Sequence, residues 1–206
     1  GVTADGNYIY LVKTSDNIAQ VFPYERKSIG SFAQLTPSLK YNTACESRWI
    51  DEHARWEIIA HKKTVAISYV PSKDESTIHM LNVTDKENPN FYHRFVGFPF
   101  RNIDFKSIAM TLANDDKTLF YVNDTKRDGK NMALFMANTQ AKPIATSVSV
   151  NMPAAIRYSP PSVMKVSKND KFLYYANGEF SIYNFTSLSS LSFSLMLSLS
   201  SRVNLG

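Results

Sequence analysis

Four histidines, His53, His61, His79 and His93, are the side chains best suited to hold a metal or move a proton. Zinc needs ligands that converge, for example two histidines one helical turn apart. His53 and His61 lie eight residues apart with Glu57 between them. On a strand these three share a face but spread over about 26 Å, too far for one ion. Acidic groups gather at Asn114-Asp115-Asp116 and at Asn169-Asp170. Neither loop has the spaced carboxylates and glycine of an EF-hand, so these side chains are expected to bond their own backbone in tight turns. Cys45, a lone cysteine, excludes an internal disulfide and reads as a small hydrophobe. No phosphate-binding glycine loop, Gly-x-Ser-x-Gly elbow or His-Glu-x-x-His motif occurs. No catalytic, cofactor-binding or metal-binding residue is assigned from the sequence.

Modification and assembly are better represented. Three sequons, Asn82-Val-Thr84, Asn123-Asp-Thr125 and Asn184-Phe-Thr186, would accept N-glycans in a secretory pathway. The other reading of these positions is that Asn and Thr cap a turn. Towards the C-terminus, Leu191, Phe193, Leu195, Leu197 and Leu199 alternate mostly with serine, which puts them on one strand face. Such an uncharged strand invites pairing, either within its own sheet or with another chain.

The elements that carry these residues recur. Asp5-Gly-Asn-Tyr-Ile-Tyr10, Lys62-Lys-Thr-Val-Ala-Ile67, Asp116-Lys-Thr-Leu-Phe-Tyr121 and Asp170-Lys-Phe-Leu-Tyr-Tyr175 each join a turn to an apolar, aromatic-rich run. Their first residues are 57, 54 and 54 apart. A second strand-like run follows each: Ile18–Tyr24, Thr77–Val83, Met132–Thr139 and Phe180–Thr186. Trp56–Ala60, Ile103–Leu112 and Ser162–Val166 precede the anchors, and Pro143–Val150 follows one second run. Leu35–Arg55 is ambiguous and could include a helical turn. About four short strands per period of about 54 residues is the pattern of β-propeller blades. The expected fold is all-β: about four four-stranded blades, approximately 1–50, 51–102, 103–157 and 158–206, in a partial or open ring within one domain. A β-sandwich with coincidental spacing is the competing architecture.

The segment Thr77-Ile-His-Met-Leu-Asn-Val-Thr-Asp-Lys-Glu-Asn-Pro89 resembles the LVIVD repeat in Ile78, Met80, Asn82, Val83, Thr84, Asp85, Asn88 and Pro89. Asn82 departs from the more usual acidic residue there, and the other copies match less. The resemblance implies a propeller, often in extracellular or cell-surface proteins, and brings no catalytic residues.

The net charge is +5, but the basic residues are scattered, with no stripe interleaved with aromatics, so nucleic acid is not an expected partner. No membrane-spanning run is visible. The opening Gly1 reads as a fragment or a mature form. Taken together, these features lead to an extracellular or cell-surface module that binds protein or glycan, or self-associates through edge strands, possessing no cofactor. A propeller hydrolase of the lactonase type and an intracellular scaffold are the rival readings.

Overall fold

The computed structural model describes residues 2–15, 18–35, 39–42, 57–72, 75–85, 88–97, 109–124, 132–140, 163–176, 179–187 and 192–200. Those residues form strands and turns alone. The chain divides into two compact units, Gly1–Ile108 and Ala109–Gly206.

In the first unit, strands β1 (Val2–Asp5), β2 (Tyr8–Ser15), β3 (Ile18–Ser28) and β4 (Ser31–Gln34) form an antiparallel meander. Strand β5 (Leu39–Asn42) pairs with the first half of β3, beside β4 on the second half. That places a strand inside the ambiguous stretch 35–55, whose remaining calls lie outside the described residues, as do Cys45 and His53. A second sheet follows in sequence order: β6 (Glu57–His61), β7 (Thr64–Ser72), β8 (Glu75–Asn82) and β9 (Asn90–Gly97).

The second unit repeats the plan. Its three-stranded sheet is β10 (Met110–Leu112), β11 (Thr118–Asp124) and β12 (Met132–Asn138). Its four-stranded sheet is β13 (Val163–Val166), β14 (Phe172–Ala176), β15 (Glu179–Ser187) and β16 (Ser192–Ser200). The expected strand Pro143–Val150 lies outside the described residues. The fold is all-β, and its sheets are propeller-like blades.

One backbone feature marks the repeat. Gly6, Lys62, Asp116 and Asp170 all have a left-handed backbone, with φ of 57°, 32°, 61° and 55°. Each sits in the turn between the first two strands of its sheet. The equivalence pairs Lys62 with Gly6 rather than with Asp5, a one-residue correction to the sequence alignment. Glycine adopts this conformation without penalty and aspartate tolerates it, whereas lysine is strained there.

Counting from that residue sorts the side chains by face, because a strand alternates sides. Call front the face that carries the third and fifth residues: Ile9 and Leu11, Val65 and Ile67, Leu119 and Tyr121, Leu173 and Tyr175. The back face carries the fourth and sixth: Tyr10 and Val12, Ala66 and Ser68, Phe120 and Val122, Tyr174 and Ala176. The second and third sheets are buried on both faces at these positions. The first is buried only on its back and the fourth only on its front. Inside the first unit, Tyr10, Val12, Ala19 and Val21 on the back of the first sheet form one core with Val65, Ile67, Leu81 and Val83 on the front of the second.

In the second unit, a polar link joins the two equivalent turns. Asn114 donates its backbone N–H (2.8 Å) and its side-chain N–H (2.8 Å) to Asp170 Oδ1. The same amide donates to the Ser167 carbonyl at 2.9 Å. Both turns close alike: Ala113 N–H donates to the Thr118 carbonyl at 2.9 Å, and Ser167 N–H to the Phe172 carbonyl at 2.8 Å.

Two stability outcomes follow. Lys62→Gly relieves the left-handed strain and is expected to raise unfolding free energy by up to about 1 kcal/mol. Asp170→Gly keeps the backbone conformation but removes the acceptor, and is expected to cost about 1–2 kcal/mol, with Asp170→Asn costing less than half of that. Urea unfolding at constant m-value measures both.

Candidate binding surface

The acidic loops are turn caps. Asp115 accepts the Lys117 and Thr118 backbone N–H groups at 2.8 and 2.9 Å, and the Thr118 hydroxyl at 2.8 Å. In the equivalent loop Ser167 Oγ accepts the Phe172 N–H at 2.9 Å, and donates to Asn169 Oδ1 at 2.7 Å. The Asp115 carboxylate is thus engaged with backbone. Among the described residues no three His, Cys, Asp or Glu side chains gather as a metal site. The turn caps are those expected of Asp and Asn in tight turns, whereas the Asn114–Asp170 link joins residues at different repeat positions and has no signal in the sequence.

The sequon positions have a structural job as well. Asn82 lies opposite Thr64, Asn138 opposite Thr118 and Asn184 opposite Phe172, each two residues past the left-handed residue of its sheet. Asn82 Oδ1 accepts the Thr84 N–H at 2.8 Å, and Asn138 Oδ1 accepts the Gln140 N–H at 3.0 Å. Asn138 heads no sequon, so the position selects Asn for this turn independently of any glycan. Asn82 is half-buried and Thr84 exposed at the end of β8. Asn184 is half-buried within β15, while the backbone of Asn123 lies in β11. In the segment that resembles LVIVD, Asp85 accepts both the backbone (3.2 Å) and side-chain (3.0 Å) N–H of Asn88, and Pro89 is buried.

The buried groups His79, Tyr175 and Tyr183 are held uncharged at neutral pH. His79, 3% exposed, meets the Phe91 ring edge-on at 5.3 Å. Burial, aided by the Arg94 charge, lowers its pKa to about 4, so it is neutral at pH 7. Arg94 Nε donates to Thr77 Oγ1 at 3.2 Å, and that hydroxyl donates to the Phe95 carbonyl at 2.9 Å. Tyr175 and Tyr183 are fully buried. Burial, with Tyr183 adding to it, holds the Tyr175 hydroxyl far above its usual range, and burial pushes Tyr183 up to about 12. His61 is half-buried at the end of β6, and His93 lies in β9.

What the surface does offer is apolar. On the front of the first sheet, Leu11 is 40% and Phe32 46% exposed, with half-buried Ile9, Phe22 and Tyr24 on the same face by register. On the back of the fourth sheet, Val163 is 51% and Phe180 39% exposed. There the Tyr174 and Phe180 rings stack at 6.2 Å. A shallow pocket of about 360 Å³ lined by Ser167, Lys168, Asn169, Phe172 and Tyr174 opens beside them.

The serine-rich strand belongs to this sheet. Phe193, Leu195, Leu197 and Leu199 lie in β16, paired along β15, with register shifts at Ile182/Tyr183 and Phe185/Ser187. In that pairing Leu195 lies opposite Tyr183, Leu197 opposite Ile182 and Leu199 opposite Phe180. Leu191 lies outside the described residues.

The chain matches no known family and no curated protein. It is similar to solved propeller-type structures. One is from Bacteroides uniformis ATCC 8492, provisionally named a 6-phosphogluconolactonase: TM-score 0.62 and 14% identity, over 95% of this chain and 54% of that one. AztD of Citrobacter koseri gives TM-score 0.53 and 13% identity, over 97% of this chain and 46% of that one. The WD40 domain of SCAP from fission yeast gives TM-score 0.52 and 11% identity, over 95% and 42%. The chain thus spans about half the length of these structures. At such identities the likeness establishes the fold alone.

His79 sets an acid limit. Its folded pKa lies below its unfolded value near 6.5, so the unfolded chain binds the extra proton. Its contribution is complete above about pH 6.5, is lost as pH falls towards 4, and amounts to about 3 kcal/mol. His79→Gln is expected to flatten stability against pH between those limits, measured by urea unfolding at half-unit steps.

Proposed function

We propose that the chain is a β-propeller module that binds macromolecular partners, protein or glycan, at the cell surface or outside the cell. The observation that carries this reading is the apolar front face of the first sheet, centred on Leu11 and Phe32, left open although the second and third sheets bury both of theirs. Exposed apolar patches rimmed by polar side chains mark interaction sites; here the rim includes Lys13, Gln20 and Gln34. The WD40 domain among the similar structures belongs to a propeller class defined by its repeats, which supports a binding role by analogy of fold.

Two finer points extend the proposal. In the Thr77–Pro89 segment, whose likeness to the LVIVD repeat is part of this proposal, apolar residues lie in the strand and Asn82 and Asp85 accept hydrogen bonds in the turn behind it. The extracellular location rests on the sequons, of which Asn82 has the best setting, at a strand end with an exposed Thr84.

Secretion from a eukaryotic host is expected to yield a protein whose mobility shifts with peptide N-glycosidase, and Asn82→Gln is expected to remove a glycan. An unshifted protein would remove the extracellular part of the reading and leave the binding part. For the binding part, cross-linking mass spectrometry in the source cells is expected to join partner peptides to Lys13, at the rim of the open face; links confined to other lysines would sink it. Turnover of a lactone above its spontaneous rate would instead establish the rival enzyme.

A further inference from the structure

The two open faces of this chain are of opposite kind. The first sheet exposes a front face, with Ile9, Leu11, Phe22 and Phe32. The fourth exposes a back face, with Val163, Tyr174, Phe180 and Ile182. Inside the first unit, the contact between sheets is a back face on a front face: Tyr10 and Val12 against Val65 and Ile67. A front face and a back face are therefore the two halves of a junction this sequence already builds.

We propose that a second copy of this chain covers them, the back face of the fourth sheet of one copy docking on the front face of the first sheet of the next. This rests on the reading of the chain as a propeller module that binds through its open faces, and it names the partner. Two observations favour a second copy. Among the described residues the chain carries one face of each kind, so an identical chain satisfies both. The contact continues a packing mode already present in the first unit. The association is heterologous: the surfaces that meet differ, so copies add head to tail, and either close as a pair or continue.

That asymmetry gives a specific test. Light scattering on the 206-residue chain between 1 and 100 µM is expected to show a mass of two or more chains, against 23.3 kDa for one. A front-face variant, Leu11→Lys with Phe32→Ser, and a back-face variant, Tyr174→Ser with Phe180→Lys, are each expected to run as monomers with unchanged circular dichroism. Mixed in equal amounts they are expected to form a one-to-one complex, since each keeps the face that the other has lost. Should a double variant fail to fold, Leu11→Lys and Phe180→Lys, at positions 40% and 39% exposed, serve alone, with at least a tenfold weaker association expected. A monomeric native chain at 100 µM overturns the proposal and assigns the faces to a different partner or to further sheets of a longer protein. Folded variants that self-associate like the native chain overturn it too. A native monomer that still cross-links to another protein beside Lys13 would sink the second copy while keeping the binding function.

Discussion

A short antiparallel sheet of apolar strands has two faces to hide and can hide neither by itself. Backbone hydrogen bonds complete the sheet in its own plane, but the hydrophobic term, on the order of 25 cal/mol per Å² of apolar surface, is gained only when another layer lies against it. In this chain the first core is made that way. Tyr10, Val12, Ala19 and Val21 have no depth of protein beneath them within their own sheet, and become buried because Val65, Ile67, Leu81 and Val83 close over them. The left-handed turn residue serves the same end. By fixing where each second strand begins, it decides which side chains face forward and which back. A slip of one residue would exchange the two sets.

The polar groups follow from this arrangement. Wherever strands end near a core, unpaired backbone N–H groups must find acceptors, and short Asp, Asn and Ser side chains supply them. Asp115, Ser167, Asn82 and Asn138 each do so within a few residues of the left-handed position or its cross-strand neighbour. Asn114 and Asp170 go further and tie two successive turns together. Side chains that resemble candidates for metal or glycan chemistry thus have a structural role first, whatever else is built on them.

Much of the fold was legible because the pattern is local. The anchors were found from alternating aromatic runs behind Gly, Asp and Lys, and the strands fell on them with an offset of one residue in the first copy. That offset was invisible because Asp5 imitates Asp116 and Asp170 in type, while the conformation belongs to Gly6. Even the difference between sheets buried on both faces and sheets buried on one is written in the residues. Val65-Ala66-Ile67 and Leu119-Phe120-Tyr121-Val122 are continuous buried runs, whereas Phe172-Leu173-Tyr174-Tyr175 alternates between half-buried and buried. What could not be read was pairing between side chains far apart in sequence. Nothing in Asn114 announces Asp170 as its acceptor, nor in His79 the Arg94 charge that helps keep it neutral. The open faces escaped for a related reason: a Leu or Phe in a strand looks the same whether its face is covered or bare.

The sequential strand order, from which β5 departs by pairing with β3, has a consequence for how the protein is made. Because each sheet is wound from consecutive hairpins, the ribosome releases it as a finished piece before the next one exists. Translation at about 5–20 residues per second leaves roughly 3–11 s between one sheet and its neighbour. During that interval Tyr10 and Val12 face solvent on a nascent chain. Synthesis speed, and any chaperone present at the tunnel exit, therefore bear directly on the yield of correctly stacked protein.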